Sequence, residues 1–100
     1  MSDVFLEIVV KAAEAGSVGI ESRDEIEDPL EAALSAAGVG EVTGGGGGSG
    51  VYIIDVEIPS EGRFDEALAV IRRVLQDVKV PTSTLIKRHQ PEELAFSVYT

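Results

Sequence analysis

Two stretches of the chain, residues 4–10 and 51–58, are rich in β-branched residues and are predicted to be strands. In residues 51–58 the even positions are apolar throughout, whereas the odd positions become acidic toward the end. We therefore expect the even positions to face the core and the odd positions to lie on a partly wetted face. Residues 39–43 and 82–89 are predicted as two further strands, and Pro91 is expected to end the second of these.

Two other stretches follow the helical period. The first is predicted to start with Asp28 as N-cap and Pro29 at the first helical position and to stop at Gly38; an earlier start near Asp24, with a bend at Pro29, is the alternative. The second helix begins after Ser60. Its apolar stripe recurs at intervals of three and four residues, namely Phe64, Ala67, Leu68, Ile71, Val74, Leu75 and Val78.

The resulting order, βαββαβ, is that of the ferredoxin-like two-layer sandwich, in which two helices cover one face of an antiparallel sheet. Right-handed crossovers would place the first and third strands centrally and the weak second strand at an edge. Residues 94–99 could add a C-terminal edge strand. One α+β domain is expected over residues 1–100, with a flexible connection over about 11–27.

A glycine-rich run, residues 44–50, separates the second and third predicted strands. A phosphate-binding loop would require a helix after it, and the Walker type also requires a Lys, but a strand follows here. An anion-binding nest of amides and an artificial linker are further alternatives. We interpret the run as the loop of a hairpin, because glycine tolerates the conformations that a tight turn demands.

Charge and composition exclude several classes of function. The net charge is −10, and residues 1–62 hold 13 acids against 2 bases, whereas residues 63–100 hold 5 acids against 6 bases. An acidic body disfavours nucleic acid and anionic membrane surfaces as partners. The chain has no cysteine, which excludes disulfides and thiolate metal sites and is compatible with a cytoplasmic location.

The candidate interaction face is the side of the sheet away from the helices. Its carboxylates could share a proton or bind a hard cation, but we favour the simpler interpretation that they solvate an exposed face, balanced by Lys87 or His89. His89 is the only histidine and would need an orienting partner and a pocket to act as a general base. In the run Lys87-Arg88-His89 it is expected to belong to a small basic surface at a strand end. We assign no catalytic residue, cofactor or metal ligand. The predicted face consists of Phe5, Glu7, Val9, Val51, Ile53, Asp55 and Glu57.

Several features invite comparison with a known group. They are Gly38-Val39-Gly40-Glu41, the glycine-rich hairpin, Ile54-Asp55-Val56, the helix from Ala67 to Leu75 with Arg72, and Pro81 before Thr84. In these the chain resembles small uncharacterised bacterial proteins with a ferredoxin-like plan, over roughly residues 28–88. The resemblance implies that the glycine hairpin is a natural feature, and it carries over no catalytic residue.

Three functions are compatible with these predictions. The first is a non-enzymatic protein-interaction or regulatory domain, whose open face binds a protein partner or a second copy. The second is sensing of a small ligand, as in ACT-like domains of the same topology. The third is an enzyme of the dimeric α+β barrel kind that uses Glu7, Asp55 or His89.

Overall fold

A computed structural model describes residues 4–90 and 92–99. The three α-helices in this part of the chain are α1 (Ala12–Ser17), α2 (Asp24–Ala37) and α3 (Phe64–Val78), with a 3₁₀ turn at Glu61–Arg63. The strands are β1 (Val4–Lys11), β2 (Glu41–Gly48), β3 (Val51–Ile58), β4 (Leu85–Gln90) and β5 (Leu94–Ser97).

The five strands form one antiparallel sheet in the order β2-β3-β1-β4-β5. The strand β1 is the middle strand, β3 lies beside it, and β2 is at an edge, as the apolar content of each stretch predicts. The chain is therefore an α+β protein built around a five-stranded antiparallel sheet.

The core lies on one face of this sheet, against α2 and α3. Alternate residues of β1, such as Leu6 and Ile8, are fully buried and share one cluster with Leu30 and Leu34 of α2 and Ile71 of α3. The apolar stripe of α3 is buried as the sequence predicts, except that its last member, Val78, is only partly buried. None of the described helices is long and apolar enough to cross a lipid bilayer.

The first long helix begins at Asp24, the earlier of the two predicted starts, so Pro29 lies inside it. The Glu25 carboxylate accepts hydrogen bonds from the backbone N–H groups of Glu21 and Ser22, at 2.8 and 3.0 Å, and so fixes the entry to the helix. Residues 11–27 include the last residue of β1, the short helix α1, whose Ala15 is buried, and the first turn of α2.

The glycine run is mostly strand rather than loop, which corrects the predicted hairpin loop over residues 44–50. The strand β2 continues through Gly48, and only Ser49 and Gly50 form the turn. The cause is the partner strand: Gly44 to Gly48 lie opposite Asp55 to Val51, which belong to the strongest strand of the chain. Pairing with such a neighbour overrides the low strand propensity of glycine.

The C-terminal segment forms the edge strand β5 and then crosses to α3. Val98 is fully buried, and its carbonyl accepts a hydrogen bond of 2.8 Å from Gln76 Nε2. The Tyr99 hydroxyl donates to the carbonyl of Val80 at 2.6 Å. The preceding strand, β4, begins at Leu85 rather than at residue 82. The strand break predicted at Pro91 lies outside the described residues.

Candidate interaction face

The seven residues predicted for the interaction face share one side of the sheet, opposite the core. Because side chains alternate along a strand, the buried even positions of β1 and β3 force the odd positions to the other side. All seven are partly exposed. We call this side the open face; it comprises Phe5, Glu7, Val9, Val51, Ile53, Asp55 and Glu57 together with Lys11 of β1 and Leu85, Lys87 and His89 of β4.

An apolar row crosses the three central strands of the open face. Val9 lies opposite Ile53 of β3 on one side and opposite Leu85 of β4 on the other. Leu85 is 40% exposed, which is unusual for a large aliphatic side chain in the middle of a sheet. The row therefore offers a continuous apolar strip that the described part of the chain does not cover.

A charged row runs beside the apolar row. Glu7 lies opposite Asp55 of β3 and opposite Lys87 of β4. Glu7 thus has one acidic and one basic neighbour in register, so the negative charge of the row is concentrated on its β3 side.

A third row contains the aromatic residue and the histidine. Phe5 lies opposite Glu57 of β3, and its ring centroid is 5.9 Å from that of His89. His89 Nε2 lies 3.3 Å from Oε1 of Glu7, and because a carboxylate can only accept, the imidazole is the donor. His89 also approaches Glu93, with 3.9 Å between Nδ1 and Oε2.

The charges of the open face are divided between its two halves. On β3 the ionisable side chains, Asp55 and Glu57, are both acidic, whereas on β4 they are the cation Lys87 and the imidazole of His89. The central strand β1 separates the two groups. The acidic half extends to Glu41 of β2, which lies opposite Glu57.

Arg88, which the sequence groups with Lys87 and His89 as a basic surface, lies on the other side of the sheet. It is 7% exposed, and its guanidinium carbon is 4.9 Å from the centroid of the Phe64 ring. Its Nη2 is 3.3 Å from the Glu92 carboxylate. Arg72 donates to the carbonyl of Ser97 at 3.0 Å, so both arginines serve the packing of the C-terminal segment.

The open face offers little enclosure. A shallow depression of about 370 Å³ lies at the β4–β5 hairpin, lined by Lys87, Arg88, His89, Glu93, Leu94 and Ala95. Among residues 4–90 and 92–99, no group of three or more His, Asp or Glu side chains converges as a metal ion would require. The arrangement is that of a broad surface rather than a small-molecule pocket.

The sequence interpretation omitted Leu85 from the predicted face. The signal was present in the alternation of β4, because Ile86 next to it is fully buried and Leu85 must then point to the open face.

Comparisons of the chain with protein-family models, with curated proteins and with solved structures give no match.

Proposed function

We propose that this chain is a non-enzymatic protein-interaction domain that binds through its open face, on a ferredoxin-like βαββαβ arrangement extended by β5. The order of the first four strands, β2-β3-β1-β4, supports the arrangement. The function follows from the surface and not from the fold, since the same fold serves many activities.

The observation that carries the proposal is the apolar row of Ile53, Val9 and Leu85, bordered by charged residues. Each aliphatic side chain moved from water into an interface contributes about 25 cal/mol per Å² of buried apolar area. An apolar centre with a charged rim is the usual anatomy of a protein–protein interface.

Leu85→Asp tests the proposal, because Leu85 is exposed and its loss leaves the core intact. Val18→Asp is the matched control, since Val18 is 50% exposed and lies after α1, outside the open face. Association is measured in two ways, by light scattering of the purified protein and by capture of partners from a lysate. We expect Leu85→Asp to abolish the association and Val18→Asp to preserve it.

Two results would contradict the proposal. One is a wild-type protein that neither self-associates nor captures a partner. The other is an association that Leu85→Asp and Val18→Asp weaken equally, because that would locate binding away from the open face. Circular dichroism of both variants checks that the fold is retained.

A further inference from the structure

We infer that the partner of the open face is a second copy of this chain, related by a two-fold axis that runs along β1. The inference rests on the proposed function and specifies which partner occupies the open face. It follows from the strand order, the registers and the division of charge between β3 and β4.

The strand order makes the open face self-complementary about β1. Because β1 is the third of five strands, a two-fold axis along it places β1 over the partner's β1 and β4 over the partner's β3. Residues that share a row remain in that row, since rotation about an axis along the strands does not move them along the strand direction.

The charged row then forms two symmetry-related ion pairs. Asp55 lies opposite the partner's Lys87, and Lys87 lies opposite the partner's Asp55. The two copies of Glu7 meet at the axis, where each has Lys87 in register and His89 at 3.3 Å within its own chain. The local bases offset the repulsion between these two carboxylates.

The apolar row matches in the same way, whereas in the row of Val51 the two copies of Lys11 meet at the axis, each 3.9 Å from its own Glu14 carboxylate. In the apolar row, Ile53 lies opposite the partner's Leu85, and Val9 lies opposite the partner's Val9. In the third row, Phe5 is in register with Glu57 of β3 and, after a β-bulge, with Gln90 of β4, so Gln90 lies opposite the partner's Glu57 and His89 is one residue away from it. An axis across the strands would instead place β3 over the partner's β3, where the acids Asp55 and Glu57 would find no base opposite.

The size of the face fits a dimer of modest affinity. Three strands of 8 residues, one of 6 and one of 4, at about 3.3 Å per residue and a spacing of about 4.8 Å, give roughly 540 Å² per copy. Two copies would bury about 1,100 Å², slightly less than a standard specific interface and within the range of weak, transient ones. The dimer is therefore expected to dissociate on dilution.

A charge exchange tests the arrangement, with Asp55→Lys, Lys87→Asp and the double variant measured by sedimentation equilibrium. In each single variant, positions 55 and 87 of opposite copies carry like charges, and the two-fold axis repeats this contact. Each single variant is therefore expected to raise the dissociation constant of the dimer about ten-fold. The double variant restores both pairs and is expected to return to within about three-fold of wild type. It also keeps one acid and one base beside Glu7 within the chain.

A cross-linking experiment supports the test if a single variant folds poorly. Val9→Cys places a thiol at the axis in a chain without other cysteines. Face-to-face sheets are about 10 Å apart, too far for a disulfide but within reach of a short bismaleimide. We expect a cross-linked dimer from Val9→Cys and only background from the exposed control Val18→Cys.

The outcomes separate this inference from the proposed function. A double variant as weak as the single variants, or a Val9→Cys yield no higher than that of Val18→Cys, overturns the arrangement. If the protein is strictly monomeric but captures another protein through Leu85, the partner of the open face is not a second copy of this chain. The proposed function would still stand. A monomer that captures nothing overturns both.

Discussion

At the scale of single residues, the neighbouring glycines Gly45 and Gly46 of β2 differ in what a side chain would meet. A Cβ on Gly45 would overlap the carbonyl oxygen of Ile53, and its φ of 158° disfavours L side chains. A Cβ on Gly46 would have no heavy atom within 4 Å. The two positions thus form a matched pair within one strand.

We expect Gly45→Ala to lower the free energy of unfolding by about 1–3 kcal/mol, because the backbone must shift to relieve the overlap. Gly46→Ala is expected to raise it by up to about 1 kcal/mol, since alanine restricts the unfolded chain. Urea denaturation of the two variants measures both changes. Equal effects would show that the close approach at Gly45 does not constrain the strand.

The run Lys87-Arg88-His89 shows where residue-level prediction ends. Strand alternation places Lys87 and His89 on the open face and Arg88 on the core side. Charged residues are rarely buried, so the sequence pattern groups all three on the surface. Only the positions of Phe64 and Glu92, which depend on tertiary packing, explain how Arg88 is accommodated.

At the scale of elements, the C-terminal segment is held by pairing of β5 with β4, by hydrogen bonds from side chains of α3 and by the burial of Val98. Leu94 of the same segment is 44% exposed. Val98→Ala is expected to lower the free energy of unfolding by roughly 1–3 kcal/mol, because it removes buried apolar contacts. Leu94→Ala, the matched control, is expected to change it by less than about 0.5 kcal/mol.

Thermal or urea unfolding measures this difference. A similar, small effect of both variants would mean that residues 94–99 are not docked on α3 as the hydrogen bonds from Gln76 and Arg72 indicate.

The elements that could be predicted from sequence are those whose own pattern is strong. The stripe of α3 and the alternation of β3 needed no tertiary information. The strand β2 could not be delimited in this way, because its glycines favour a loop and acquire strand structure only through pairing with β3. Helix α1 could not be predicted for a similar reason. Ala15 is its one buried residue, so its sequence carries no repeating apolar pattern.

At the scale of the whole molecule, the composition of the open face could be predicted, but its function could not. Alternation alone assigns Phe5, Glu7 and Val9 to one side of β1. The two-fold match of acids on β3 with bases on β4 requires the lateral order of strands and the registers between them, which a single sequence does not specify. The complementarity therefore becomes visible only in the assembled sheet.

The net charge of −10 acts against association of two copies at long range. At about 0.15 M ionic strength the Debye length is about 8 Å, so this repulsion is screened, whereas contacts across the interface are much less affected. Association should therefore be measured at that ionic strength or above.

Sedimentation equilibrium of the wild-type chain over a wide concentration range measures directly whether two copies associate. For a two-fold homodimer the mass rises reversibly from that of one chain, 10.5 kDa, toward twice that value and no further. A mass that stays at one chain up to about millimolar concentration would contradict the homodimer. So would continued growth beyond two copies, because a two-fold interface closes on itself.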